Sequence, residues 1–472
     1  MTHSSRGAPG EARVRVAREQ RLADRLAAAV ARPAAQQPQW PDPARARTVL
    51  ARLRTVPPVV AEAETARLSE RLAAVARGEA FLLQSGDCAE TFAETTEPHL
   101  RANLGLLKRM AQVLAHAAGL PVVPLARMAG QYAKPRSQPV DAAGLPAYRG
   151  DIVNSAAPSL AARTPDPERM LLAHGHAARA MAVVRRVGAQ DPPDPRAGIL
   201  AHVHDAPGSD QFVRGAEEAG RDPGPGTEEI YVGHEMLLLD YETAPLHTAG
   251  FTTGPEPLLV SPLAHFLWIG ERTRGLDDAH LAVAELLANP VGVKIGPGTT
   301  PEQALAYVRR LDPHGTPGRL TLISRMGHTR VREVLPPIVE KVTATGHQVV
   351  WQCDPMHGNS RTTADGRKTR RFDDILAEIS GFFEVHRTLG THPGGLHLEA
   401  TGEDVTECLG GARGLGEDDL PARYRTACDP RLNAEQAMEL ALTVAELLTA
   451  AGRAAGRAAG PRPALHRPRS PR

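Results

Sequence analysis

Four side chains far apart in the sequence, Cys88, His357, Glu399 and Asp429, make a set that could hold one metal ion. A thiolate, an imidazole and two carboxylates suit a divalent transition metal such as Mn²⁺, Co²⁺, Fe²⁺ or Zn²⁺, and mixed soft and hard donors do not choose among them. No compact motif links the four, so each also has a plainer reading: Cys88 as a buried small residue, His357 as a hydrogen-bonded loop histidine, Glu399 and Asp429 as helix caps. Five cations stand out beside them, Arg127, Arg136, Arg272, Lys294 and Arg325. Arg grips phosphate or carboxylate through a planar fork, and Lys acts as a compact point charge. So many cations at one rim would repel each other unless an anion usually sits there, so the expected occupant is a small, multiply anionic ligand. Lys134-Pro135-Arg136-Ser137 follows a glycine-containing turn and suits a second phosphate. Lys294 lies between Val293 and Ile295, where an unpaired ammonium would be costly.

The elements that must position these groups are legible as eight short apolar runs, at residues 80–84, 122–129, 265–270, 291–296, 320–324, 348–353, 394–398 and 423–427. Helical patterns at 100–118, 277–288, 301–311, 331–345, 372–389 and 434–451 separate or follow them. Buried strands alternating with helices predict a parallel sheet, and eight of them predict an α/β fold closed as a (β/α)₈ barrel. Each run leads into an ionisable or metal-binding residue: Asp87-Cys88, Arg127, Glu271-Arg272, Lys294, Arg325, His357, Glu399 and Asp429 in turn. One polar strand end needs only solvent to explain it. All eight together predict a site at the C-terminal rim of the barrel.

Around the barrel, residues 80–452, an N-terminal helical extension is expected over 13–79. Extra-barrel helices, at 167–187 and 228–241, are expected in an insertion around 150–250 between the second and third strands. The ends, 1–12 and 453–472, are too poor in apolar surface to order themselves, and 204–227, with Pro223-Gly-Pro-Gly226, reads as an exposed loop. The chain has 472 residues, 55 Lys plus Arg and 54 Asp plus Glu, a balance that argues against bulk attraction to nucleic acid or membrane. Its four cysteines are too few for a disulfide scaffold in a chain this long, and no apolar run reaches membrane-spanning length. The N-terminus lacks a signal-peptide core, so a cytoplasmic protein is expected.

Several segments resemble class II 3-deoxy-D-arabino-heptulosonate 7-phosphate (DAHP) synthases. They are Gln84-Ser-Gly-Asp-Cys-Ala-Glu-Thr-Phe92, Arg127-Met-Ala-Gly-Gln-Tyr-Ala-Lys-Pro-Arg-Ser137, Tyr148-Arg-Gly-Asp151, His234-Glu235, Trp268-Ile-Gly-Glu-Arg-Thr-Arg274 and Asn289-Pro-Val-Gly-Val-Lys-Ile-Gly-Pro297. Further on come Leu322-Ile-Ser-Arg-Met-Gly327, Trp351-Gln-Cys-Asp-Pro-Met-His-Gly-Asn359, Lys368-Thr-Arg-Arg-Phe-Asp373, Glu403-Asp-Val-Thr-Glu-Cys408 and Cys428-Asp-Pro-Arg-Leu-Asn433. The pattern departs at Gly233, where a small hydroxyl residue is expected before His234-Glu235.

The resemblance implies a TIM barrel that condenses phosphoenolpyruvate with D-erythrose 4-phosphate and water, giving DAHP and phosphate at the start of the shikimate pathway to aromatic compounds. It assigns the metal, Mn²⁺ or Co²⁺ ahead of Fe²⁺ or Zn²⁺, to Cys88, His357, Glu399 and Asp429. It assigns phosphoenolpyruvate to Arg127, Glu271, Arg272, Lys294 and Arg325, and erythrose 4-phosphate to Lys134, Pro135, Arg136 and Ser137. Lys294, Arg127, Glu271 and Glu235 are the expected catalytic groups. It also implies a homo-oligomer, a dimer or tetramer, and in some members pairing with a chorismate mutase. Two alternatives stand beside it: a synthase of the same fold taking an amino or imino analogue of erythrose 4-phosphate, and a non-catalytic regulatory paralogue.

Overall fold

The structure, a computed structural model, describes residues 9–141, 143–189, 229–252 and 256–458. The loop expected at 204–227 lies outside the described residues, as do 1–8 and 459–472 of the two ends.

Eight strands form the centre: β1 (Phe81–Gly86), β2 (Val122–Arg127), β3 (Tyr231–Glu235), β4 (Phe266–Ile269), β5 (Val291–Ile295), β6 (Leu320–Ser324), β7 (Val350–Cys353) and β8 (Gly395–Glu399). Each pairs in parallel with the next, and β8 pairs with β1, so the sheet closes as a (β/α)₈ barrel. Every residue of these eight strands is buried except Glu235 at the end of β3, which is half-buried. Covered faces on both sides explain why these strands read as continuous apolar runs rather than alternating ones.

Two expectations needed correction. The run at 423–427 is not a strand; its Arg-Tyr-Arg-Thr-Ala is half-exposed or exposed loop. The missing barrel strand is β3, inside the stretch 228–241 that had been expected to form a helix. Gly233, His234 and Glu235 disguised it, because a glycine and two polar residues cut the apolar run short. Gly233 belongs to this strand for a steric reason. A Cβ there would stand 2.7 Å from the Phe266 carbonyl oxygen of β4, so the hydroxyl residue expected at this position would not fit.

Among the described residues there are twelve α-helices, in chain order: α1 (Pro9–Val30), α2 (Pro43–Leu53), α3 (Glu62–Ala76), α4 (Glu97–Ala118), α5 (Leu160–Arg163), α6 (Glu168–Gly188), α7 (Leu239–Thr243), α8 (Ala279–Ala284), α9 (Pro301–Leu311), α10 (Val331–Thr343), α11 (Phe372–Leu389) and α12 (Ala434–Ala458). α1 starts at Pro9 and α12 reaches Ala458, each running into a stretch expected to lack order. α5 and α6 fall between β2 and β3, where the insertion was expected. Local chemistry sets helix ends. Thr300 and Gln303 form a capping box at the start of α9, and Gly119 (φ 62°) and Gly390 (φ 66°) end α4 and α11 in the left-handed conformation.

α3 closes one end of the barrel. Its Leu68, Leu72 and Val75 pack into a core with Leu82, Val123, Phe266, Trp268, Ile323 and Val350 from inside the sheet. With that end filled by side chains, the cavity opens at the other, where the C-terminal ends of the strands lie. Among the described residues, no helix is long and apolar enough to cross a membrane.

Candidate active site

A cavity of about 940 Å³ occupies the C-terminal rim. It is lined by Cys88, Arg127, Lys134, Pro135, Arg136, Ser137, Glu235, Glu271, Arg272, Lys294, Arg325, His357 and Asp429. Of the residues expected to bind metal or substrate or to act in catalysis, only Glu399 is absent from the lining. It lies fully buried beneath it, touching three that are present: Arg127, Lys134 and His357.

His357, Glu399 and Asp429 each offer a donor atom within 4.8 Å of the others. Cys88 is not one of that trio, but its Sγ accepts the Asp429 backbone N–H at 3.1 Å and faces the same cavity. His357 donates Nδ1–H to Asp354 at 2.8 Å, which leaves Nε2 aimed at Glu399 Oε1, 3.2 Å away. A carboxylate behind a histidine is the usual device for fixing the tautomer of a metal ligand. Despite burial, neighbouring His357, Lys134 and Arg370 hold the Glu399 carboxyl well below its ordinary range. The donor set therefore fits a divalent cation: two ionised carboxylates, an oriented imidazole and a thiol at the edge.

The cations arrive from separate strands. Arg127, 2 % exposed at the end of β2, donates to the Asp87 and Cys88 carbonyls at 3.1 and 3.2 Å and to Glu399 Oε1 at 3.1 Å. It also donates to His397 Nε2, and its guanidinium lies 5.1 Å from the Trp268 ring centre. A guanidinium can only donate, so His397 carries its proton on Nδ1 and gives it to Gln84 Oε1 at 2.7 Å. Lys294 forms an ion pair with Asp354, the same carboxylate that orients His357. Burial brings the Lys294 ammonium down to about 8. Arg325 donates to the His357 carbonyl at 2.8 Å and lies 3.7 Å from Glu271, which Arg274 also holds.

The segment expected to bind a second phosphate is divided. Lys134 points its ammonium at Asp429 (2.7 Å) and Glu399 (3.8 Å). Arg136 is held by the Tyr148 carbonyl, and Ser137 accepts a hydrogen bond from Arg272 at 2.9 Å. Arg272 thus bridges the two regions expected to take separate substrates. The turn before this segment is set by Glu90, a buried carboxylate that accepts the Ala129, Gly130 and Gln131 N–H groups at 3.0, 2.9 and 2.8 Å. Ala129 is left-handed there (φ 62°), a conformation that Glu90's hydrogen bonds help to hold.

A second buried network lies behind Cys88. Asp87 accepts from His99 and Asn103, each at 2.8 Å, and from Arg431 at 2.5 Å. Arg431 in turn pairs with Glu407, which accepts the Arg425 and Thr426 N–H groups leading to Asp429. His99 is held between Asp87 and Glu403. Burial alone would favour neutral His99, but these carboxylates raise its imidazolium to about 9. A folded pKa above the unfolded one, near 6.5, gives stability that is complete below about 6.5 and lost as pH rises through about 9. The stabilisation that His99 adds over His99→Gln should therefore shrink between pH 6 and pH 9.5, by up to about 3 kcal/mol. Urea melts of both proteins at the two pH values test this, and a pH-independent difference would rule it out.

Sequence reasoning missed Asp354, Arg370, His397, Glu90 and the Asp87–Arg431–Glu407 network. Asp354 and Arg370 sit in segments that had been singled out, Trp351–Asn359 and Lys368–Asp373, but nothing in the spacing said what they touch.

Residues 25–445 match the profile described as the class-II DAHP synthetase family. The chain is similar to phospho-2-dehydro-3-deoxyheptonate aldolase AroG of Mycolicibacterium smegmatis, 52% identical over 442 residues, covering 90% of this chain and 95% of that one. Similar too are the phospho-2-dehydro-3-deoxyheptonate aldolases of Streptomyces coelicolor, 49% identical with 88% and 95% covered, and Neurospora crassa, 40% identical with 88% and 92% covered. A solved structure, that of phospho-2-dehydro-3-deoxyheptonate aldolase from Francisella tularensis, aligns over 86% of this chain and 96% of its own with a TM-score of 0.46 at 13% identity.

Proposed function

The chain belongs to the class-II DAHP synthetase family, and from that premise we propose that it condenses phosphoenolpyruvate with D-erythrose 4-phosphate and water to give DAHP and phosphate. The observation that carries this reading is that His357 and Asp429, with Glu399 directly beneath them, meet Arg127, Lys294 and Arg325 at one cavity. Cys88, His357, Glu399 and Asp429 would hold a divalent cation, Mn²⁺ or Co²⁺ first, and when bound it supplies Lewis-acid polarisation of the acceptor's aldehyde carbonyl.

This chain's own groups do the rest. Arg127, Arg272, Lys294 and Arg325 bind the carboxylate and phosphate of phosphoenolpyruvate and turn its C3 toward the aldehyde carbon. Attack by C3 leaves positive charge at C2, where water adds, and the resulting hemiketal loses phosphate. The same cations stabilise the departing phosphate. Glu271, fixed by Arg274, orients Arg325, and Glu235 supplies a carboxylate for the attacking water. Lys294, with its ammonium at about 8, carries a proton at neutral pH and is assigned as the proton donor. Arg136 and Ser137, with Pro135 shaping the turn and Lys134 beside the carboxylates, take the acceptor and its phosphate.

The test is phosphate release with both substrates, with and without chelator. Phosphate should appear only when phosphoenolpyruvate and erythrose 4-phosphate are both present, vanish on chelation and return with Mn²⁺ or Co²⁺. No release with erythrose 4-phosphate under any divalent cation, but release with its amino or imino analogue, would move the assignment to that acceptor.

A further inference from the structure

The segment Lys368-Thr-Arg-Arg-Phe-Asp373 has no part in the function described so far. Lys368–Arg370 is the second strand of a hairpin whose first strand is Ser360–Thr362. Arg370 lies at its base, 0 % exposed, and does not line the cavity. Its guanidinium spreads over two loops and the end of β8. Nε donates to the Met356 carbonyl at 2.8 Å, Nη1 to the Pro430 carbonyl, and Nη2 to Glu399 Oε2 at 2.8 Å. Met356 immediately precedes His357, Pro430 immediately follows Asp429, and Glu399 is itself in the trio.

We propose that Arg370 is a positioning residue that assembles the cation-binding donors in advance, by tying the loops of His357 and Asp429 and the strand end at Glu399 to one buried guanidinium. The inference rests on the reading that those three residues hold the cation.

Three features favour this role over general loop support. Each bond ends on a donor residue or on its immediate chain neighbour. Arg370 holds Glu399 Oε2, while Oε1 faces His357 Nε2 at 3.2 Å and accepts from Arg127 at 3.1 Å, so the carboxylate is fixed through both oxygens. The hairpin itself is anchored on both sides, by Thr369 Oγ1 to the Glu407 carbonyl at 2.9 Å and by Tyr424 Oη to the Lys368 carbonyl at 2.8 Å, so the guanidinium has a fixed origin. Lysine could not replace it. A single ammonium can carry the charge, but it lacks the rigid planar array that reaches three partners in three directions.

The test compares Co²⁺ binding and its visible absorption in wild type, Arg370→Lys, Arg370→Gln and His357→Ala, without substrates and with folding checked by circular dichroism. Partners that orient ligands from behind typically change affinity by about 10- to 100-fold, and a loss of that size is expected for Arg370→Lys, with a shifted absorption band. Arg370→Gln should bind more weakly still. A folded Arg370→Lys with wild-type affinity and an unshifted band overturns the inference. Wild-type binding by His357→Ala would instead overturn the reading beneath it. Hydrogen exchange of the wild type adds a measurement that needs no variant. Backbone amides around 354–359, 399–401 and 428–433 should already be protected without cation and change little when Mn²⁺ is added. Fast exchange there that slows only on adding Mn²⁺ would mean that the ion, not Arg370, assembles the site.

Discussion

Replacing His357 with alanine is expected to lower kcat by on the order of 10³- to 10⁴-fold, because Lewis-acid stabilisation is worth several kcal/mol and each 1.36 kcal/mol is about tenfold in rate. The substitution removes a donor without orphaning a buried charge. Asp354, which loses its hydrogen bond from Nδ1, remains paired with Lys294. His357 is half-buried at the rim, so the barrel should keep its melting temperature within a few degrees. Bound Mn²⁺ per chain, measured after dialysis, should fall along with turnover. Activity above a tenth of wild type at saturating Mn²⁺ would remove His357 from the donor set.

Lys294→Met should lower kcat/KM for phosphoenolpyruvate by on the order of 10³-fold. Truncating one partner of a buried charge pair costs about 2–5 kcal/mol, and here the lost ammonium also faces the substrate anion. Methionine fills similar space, so the loss reads charge rather than packing. Asp354 keeps the hydrogen bond from His357 Nδ1 but loses its cation, so some thermal destabilisation should accompany the kinetic loss. Initial rates at varied phosphoenolpyruvate and fixed acceptor separate the two effects. If kcat/KM falls less than tenfold while the melting temperature drops, Lys294 stabilises the rim but does not hold the substrate.

These two residues were legible before any coordinates because each sits at the end of an apolar run and carries a group that such a position seldom needs. Seven of the eight barrel strands were legible for the same reason. The exception is instructive. β3 reads Tyr-Val-Gly-His-Glu, with a glycine demanded by the Phe266 carbonyl, a buried histidine paired with Glu242 and a glutamate that lines the cavity. Its sequence answers to its neighbours, so its own pattern misleads. The opposite departure lies at 423–427, expected as the eighth strand, where Arg-Tyr-Arg-Thr-Ala forms loop. Asp429 reaches the site on a loop, held by Thr426, Cys88 and Lys134 rather than by a sheet.

The sequence by itself determined the barrel, its helical extension and the identities of the groups at its rim, since strand and helix periodicity and residue chemistry are properties of short stretches of chain. Only the tertiary structure decided how those groups are supported. Cys88 and Asp429 meet across 341 residues, Lys294 and Asp354 across 60, and Arg370 and Glu399 across 29. Such meetings follow from closing β8 onto β1 and from loops packing over the rim. No local pattern encodes them, because a buried charge is placed by whichever partner offsets its lost water, and that partner is chosen in space.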